Sequence, residues 1–193
     1  MLPAPTPIYR RLLSTDPYAS WADRSCRAPC SCCSAVLFGR VKSGVVVHII
    51  VGAEERGPVV EVSGVRAVAG LGLEGDRYYR RHASGDHDPE NEITLVTLEG
   101  IEAAARDGGL ELTPLDLRRN IVTQGIDLDG LIGSKVRVGE VEIEALGPNP
   151  PCRYLQDLVK KPLLKPMMGR GGVRGRIVTS GTINVGDPVI VER

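Results

Sequence analysis

Cys152 is the only cysteine beyond the first forty residues, and it comes directly after the proline pair Pro150-Pro151. A thiol does chemistry as its thiolate, which nearby fixed positive charge favours. Thiolates are donors for soft and transition metals. The same part of the chain supplies fixed cations. Arg170 and Arg174 stand on either side of Gly171-Gly172-Val173, and Arg118-Arg119-Asn120 precede the β-branched run Ile121-Val122-Thr123. Guanidinium forks bind phosphates and carboxylates bidentately. Soft-metal or sulfur chemistry beside an anionic ligand is what these residue types can do together. A lone cysteine is ordinarily inert core, but this one opens a predicted short helix in the most arginine-rich region of the chain. Beside a buried strand, one of Arg118 and Arg119 is expected to point inward, where it needs an anionic partner.

Other constellations carry less. Cys26, Cys30 and Cys33 have the spacing of a three-cysteine iron–sulfur motif, but the β/α units that such a motif serves are missing after it. A zinc knuckle is disfavoured because Cys32 and Cys33 are adjacent and no histidine is near. The glycines of Gly70-Leu71-Gly72-Leu73-Glu74-Gly75 echo a dinucleotide fingerprint, yet residues 76–81 are polar and turn-like where a helix should open. His82, Asp86, His87 and Asp88 fall in a polar loop over 82–91 that reads as solvated rather than metal-binding.

Composition narrows the class. Lys+Arg and Asp+Glu are each 24 in 193 residues, so the net charge is zero, which favours neither nucleic acid nor an anionic membrane as a bulk partner. No apolar run is long enough for a membrane span, and Arg10-Arg11 lack the apolar segment of a signal peptide behind them. Five cysteines, four of them crowded, do not resemble a disulfide framework. A cytoplasmic location is the expectation. Aromatic residues make up only 4%, so Val, Ile and Leu must build the core.

The elements that must position these side chains are short. Residues 1–40 hold five prolines and four cysteines without periodicity and read as a poorly ordered extension; residues 41–193 form the domain. Val45–Val51 and Val59–Val68 read as paired strands around a Gly-Pro turn. Glu92–Thr97 is a strand whose Thr97 caps a helix to Asp107, ended by Gly108-Gly109. Thr113-Pro114 starts a brief turn to Leu117, with a strand over 121–123 after it. Residues 127–132 read as one helical turn, 135–138 and 141–146 as a hairpin. Cys152 begins a helix stopped by Pro162, and strands cover 173–179, 182–185 and 188–191. Many short strands with a few short peripheral helices predict a mainly β, barrel-like fold.

Taken in chain order, GLEGDRY (72–78), TLVTLEGIEA (94–103), LRRNIVTQGIDL (117–128), Pro151-Cys152 and GRGGVRGRIVTSGTINVGD (169–187) resemble the MOSC domain, the C-terminal module of molybdenum-cofactor sulfurases. The likeness runs from about residue 44 to the end. It implies a β-barrel and a protein that binds the molybdenum cofactor (molybdopterin) or carries sulfur. It implies Cys152 as persulfide carrier or molybdenum ligand. Arg118 and Asn120 would hold the anionic pterin phosphate, with Arg119, Arg170 and Arg174 as further contacts. The family association also carries pyridoxal phosphate binding. Implied partners are a cysteine desulfurase or an electron-donor protein. Alternatives are a molybdenum-dependent oxidoreductase reducing N-hydroxylated compounds, or a non-catalytic anion-binding module. Two features depart from many relatives: Tyr78 stands where they carry histidine, and the lead-in to Cys152 is proline-rich rather than acidic.

Overall fold

The computed structural model describes residues 43–192. The extension over 1–40 and its four cysteines lie outside them. The described residues form eleven strands and four α-helices: β1 (Ser43–Val51), β2 (Val60–Val62), β3 (Gly64–Val68), β4 (Gly72–Leu73), α1 (Arg77–Ala83), β5 (Ile93–Thr97), α2 (Leu98–Gly108), α3 (Pro114–Leu117), β6 (Ile121–Gln124), β7 (Lys135–Val138), β8 (Val141–Pro148), α4 (Arg153–Val159), β9 (Val173–Ile177), β10 (Gly181–Asn184) and β11 (Pro188–Glu192). Single 3-10 turns occupy Pro89–Asn91 and Asp129–Leu131. The main sheet runs β11-β7-β8-β9-β5-β6-β1 and closes through a β11–β1 pairing into a seven-stranded barrel, with β2 hanging from β1. The fold is the expected mainly β barrel.

Side-chain periodicity explains where the helices sit. On β7 and β8 buried and less buried positions alternate, as strands with one wet face should. β5 is buried at four successive positions and β6 at three. Neighbours there serve two cores. Ile49, Leu95 and Ile121 fill the barrel. Ile50, Val96 and Val122 face outward into a second cluster with Ile101 and Ala104 of α2, Leu117 of α3, Leu155 of α4, and Leu163 and Met167. The apolar runs in β1, β5 and β6 thus encode a barrel wall covered by helices. β5 and β6 pair in parallel, and α2 and α3 make the crossover such a pair requires.

Several elements match the reading of the sequence. Thr97 accepts from the Gly100 amide and Gly109 closes α2 in the left-handed region. The 135–148 hairpin turns at Gly139 with φ +58°. Others differ. The run 59–68 breaks at Ser63 into β2 and β3, and β3 joins β10 and β4 in a separate three-stranded sheet. The polar stretch after Gly75 is a helix, α1, because the Asp76 carboxylate accepts from the Tyr78 amide as an N-cap. His82 of that helix is buried with Nδ1 2.8 Å from the Leu71 carbonyl. His87 reaches Glu92, Asp86 pairs with Arg81, and Asp88 caps the 3-10 turn.

The glycines at 171 and 172 serve packing. A Cβ on Gly171 would lie 2.1 Å from the Asn149 carbonyl oxygen, and one on Gly172, at φ +79°, would lie 1.9 Å from that of Leu95. Chemical denaturation should therefore separate two glycines of similar φ. Gly133→Ala, with open space at φ +82°, should cost about 1–2 kcal/mol for the left-handed backbone alone. Gly172→Ala should cost roughly a further 1–3 kcal/mol for overpacking. Equal losses would refute that reading.

Candidate functional site

The site is built where α3 meets β6 and where β8 runs into α4. α3 begins as the Thr113-Pro114 signal indicates: Asp116 Oδ2 accepts from the Thr113 amide at 2.7 Å and its hydroxyl at 2.9 Å. Lys161 Nζ joins the same oxygen at 2.7 Å. The helix ends at Arg118, which takes the left-handed conformation with φ +53°. That turn changes the expectation for the two arginines. Neither lies in a strand, since β6 starts at Ile121, so strand alternation does not apply and three successive side chains go to three places.

Arg118 reaches the loop between β1 and β2. Its Nη1 donates to the Gly57 carbonyl at 2.7 Å, and its Nη2 to those of Glu54 and Glu55, each at 3.1 Å. Asn120 turns into the protein, 5% exposed. Its Oδ1 accepts from the Thr94 amide at 3.2 Å and the Thr94 hydroxyl at 2.8 Å. Its Nδ2 donates to the Ile50 carbonyl at 3.3 Å and to Asp76 Oδ2 at 3.2 Å. The amide expected to meet a ligand is used within the fold.

Arg119 alone of the three goes to Cys152. Its Nη2 donates to the carbonyls of Asn149 at 2.9 Å and Pro150 at 3.3 Å, the residues leading into the thiol. Burial pushes its guanidinium down to about 10, with Arg77 acting the same way and the nearby Cys152 and Tyr78 opposing. No carboxylate among the described residues pairs with it. Cys152 is exposed, a free thiol at the N-cap of α4. The 169–172 segment supports its lead-in from another side, since Gly171 abuts Asn149 and Pro150.

Two further residues belong here that the sequence reading passed over. Arg77 is the first residue of α1, its guanidinium 4.6 Å over the Tyr78 ring and 3.9 Å from Asp76. It also acts on Arg118, whose pKa is lowered by burial and then by Arg77. Gly52 lies between the two guanidinium groups: a Cβ there would sit 3.4 Å from Arg77 Nη1 and 3.5 Å from Arg118 Nη2, and it is Val59 Cγ1, at 2.9 Å, that leaves it no space. The signal available was Gly75-Asp76-Arg77 itself, a cap residue and then a cation.

The other two predicted arginines are not drawn in. Arg170 pairs with Asp107 at 2.7 Å and donates to the Pro166 carbonyl at 3.0 Å, tying it to the end of α2. Arg174 sits on β9 opposite Thr94 and Gly147 and pairs with Glu90 at 2.9 Å. Its Nε is buried without a partner, as is Nδ2 of Asn149. Both are donors, so an acceptor-rich group would satisfy them. Among the described residues no three His, Cys, Asp or Glu side chains gather into a metal site, so Cys152 offers a metal one protein donor. A cavity of about 420 Å³ is lined by His87, Glu92, Lys135, Glu144 and Arg176 and by none of the cluster. Its His87–Glu92 and Arg176–Glu144 pairs satisfy one another.

Comparison with known proteins reaches the same region. A family model described as MOSC domain matches residues 79–190. Among solved structures, the YuaD protein of Bacillus subtilis is similar at 17% identity, over 79% of this chain and 97% of its own, with a TM-score of 0.67. YiiM from Escherichia coli is 19% identical over 77% of this chain and 70% of its own, TM-score 0.58. YiiM from Geobacillus stearothermophilus is 18% identical over 78% and 73%, TM-score 0.55. No curated protein matches the chain.

The support beneath the arginines is testable through pH. Burial raises the Asp116 carboxyl, but the hydrogen bonds from Lys161 and Thr113 outweigh it and hold it below its ordinary 3.8. A carboxylate with a depressed folded pKa stabilises above its unfolded value, and the contribution is lost as pH falls through the folded one. Urea unfolding of wild type and Asp116→Asn should therefore differ most at about pH 6, with the gap narrowing as pH falls below 3.8. A gap that stays constant over that range would exclude the ion pair as its source.

Proposed function

The chain belongs to the MOSC domain family, and from that premise we propose that it binds the molybdenum cofactor, with Cys152 as the thiol facing it and Arg119 as the cation holding its anionic part. MOSC domain proteins are linked to molybdenum-cofactor binding. The observation that carries the proposal for this chain is the pairing of an exposed free thiol with a guanidinium that has no carboxylate partner among the described residues. A partly buried cation without a counter-ion carries a desolvation cost, and an anionic ligand offsets that cost.

The donor set fits such a group. Arg77 and Arg119 supply positive charge, Asn149 Nδ2 is a buried donor without an acceptor, and the thiol is a soft ligand. A metal arriving with its own donors needs few from the protein, in keeping with a single cysteine. When bound, the cofactor would supply redox chemistry at molybdenum. The chain's own part is to hold and orient: Arg119 fixes the 149–150 backbone and the anion together, and exposure of Cys152 leaves it reachable. Pyridoxal phosphate binding ordinarily asks for a lysine amine, and Lys161, the lysine beneath the arginines, donates to Asp116 and to the Glu111 carbonyl.

The exposure of Cys152 favours one second reading. A surface thiol beside a cation can accept sulfur as a persulfide from a partner such as a cysteine desulfurase and pass it on. As an oxidoreductase the protein would need an electron-donor partner.

Purification from a host that makes the cofactor decides between them. The first reading expects stoichiometric molybdenum and pterin fluorescence, both lost in Cys152→Ala. The second expects cyanide-released sulfur from wild type and none from that variant. Arg119→Gln should weaken pterin retention roughly tenfold to a hundredfold, the range for losing a charged hydrogen bond. Neither molybdenum, pterin nor labile sulfur in wild type would leave only anion binding.

A further inference from the structure

The loop between β1 and β2, residues 53–58, is attached to the domain in an unusual way. Five of its six residues are exposed and Gly57 is half-buried, so no apolar residue of the loop anchors it in a core. Charged and aromatic side chains hold it by its backbone. Arg118 collects the carbonyls of Glu54, Glu55 and Gly57. The Tyr154 hydroxyl donates to the same Glu55 carbonyl at 2.9 Å, and the Arg56 guanidinium lies 5.5 Å over the Tyr154 ring. Arg80 donates to the Ala53 carbonyl. A cavity of about 260 Å³ lies between the loop and its base, lined by Val51, Ala53, Glu54, Pro58, Val60 and Gly75.

Both main clasps flank the thiol site. Tyr154 is two residues past Cys152, and Arg118 adjoins Arg119. Arg118 also sits in a left-handed conformation, φ +53°, that a bulky side chain adopts only when its surroundings enforce it. Its guanidinium spends its grip on neutral carbonyls while standing next to a second cation, Arg77. Charge-assisted bonds to an anion are roughly twice as strong as bonds to neutral acceptors. An anion arriving between Arg77 and Arg118 therefore competes for the donors that hold the loop.

We propose that residues 53–58 are a strap beside the Cys152 site, latched by Arg118 and Tyr154, and released when an anionic ligand takes the Arg118 guanidinium from the strap carbonyls. The proposal rests on the anion-binding part of the proposed function and adds its consequence: Cys152 is exposed with the strap closed, and the arriving anion frees the strap beside it. With the strap closed, Arg118 is a latch; with it open, the same side chain becomes a ligand contact.

Trypsin reads this directly, because the Arg56–Gly57 bond lies in the strap and cleavage needs the strap to leave its clasps. Full-length protein is digested with and without inorganic pyrophosphate, and cleavage at that bond is tracked by mass spectrometry. An unstructured peptide in the same tube corrects for any effect on the protease, and pyrophosphate binding is measured separately by calorimetry. In wild type, saturating pyrophosphate should speed cleavage about fivefold, the equivalent of about one hydrogen bond. Tyr154→Phe should cleave faster than wild type without ligand and still bind pyrophosphate, since it removes one clasp and no guanidinium. Arg118→Lys should cleave fast with or without ligand. Binding accompanied by unchanged or slower cleavage overturns the strap while leaving the anion site standing. Absence of binding overturns both.

Discussion

A buried polar knot carries the geometry of this protein. Asp76 is 2% exposed and Asn120 is 5% exposed, and their side chains meet at 3.2 Å. Around them the Gly52 amide, the Tyr78 amide, the Ile50 carbonyl and the amide and hydroxyl of Thr94 find partners. Buried polar groups cost free energy when unpaired, and a fully satisfied network specifies one arrangement. Here the arrangement joins the end of β1, the start of β5, the start of β6 and the cap of α1. Arg77 comes directly after Asp76 and Arg119 directly before Asn120, so the two cations are each one residue from the knot. Their spacing is set from inside the fold rather than by their own contacts.

That placement works against local electrostatics. Arg77 lowers the pKa of both Arg118 and Arg119 in addition to the effect of burial, which means that folding brings like charges together. The Asp76 carboxylate eases this only in part, because its oxygens accept from Gly52, Tyr78 and Asn120. Arg119 relies on two carbonyl oxygens for its hydrogen bonds. Such an arrangement is a standing cost in the free protein and a source of binding energy for an anion. Arg170 and Arg174, by contrast, have carboxylates at 2.7 and 2.9 Å and carry little such drive, as expected for ordinary surface pairs.

Much of the scaffold was legible in the residues. The continuous apolar runs of β5 and β6, the Thr97 cap, the Thr113-Pro114 start and the Gly139 turn each arise from local chemistry that tertiary contacts did not override. Cys152 stood out by its position, whereas Arg119 entered only as a further contact behind Arg118 and Asn120. The part that was not legible depends on backbone dihedrals or distant partners. A left-handed Arg118 has no signature in its own residue type, yet it sends Arg118 and Arg119 to different loops. Asn120 looks like a ligand contact until its partners at 50, 76 and 94 are known. Asp76 could have announced α1, but its helix is short and polar, so periodicity gave no support. Nothing in their own residue type shows what the glycines at 171 and 172 meet: β5 and residue 149 fill the space a side chain would need.

The path from barrel to thiol turns on an irregularity of the sheet. β8 and β9 pair in regular register from Ile143 to Ala145, then skip a residue so that Gly147 stands opposite Arg174 and Pro148 opposite Val173. An extra residue in one strand of an antiparallel pair bends that strand and re-aims the chain beyond it. Here the re-aimed segment is Asn149 to Cys152, delivered to Arg119 with the Asn149 amide still bonded to the Gly172 carbonyl at 2.8 Å. The proline pair then holds the lead-in extended, since the residue before each proline is kept out of the helical region, until α4 can start at Arg153. The proline-rich lead-in thus has a mechanical reason: it keeps a short, exposed segment stiff enough to present one thiol at a fixed place beside one guanidinium.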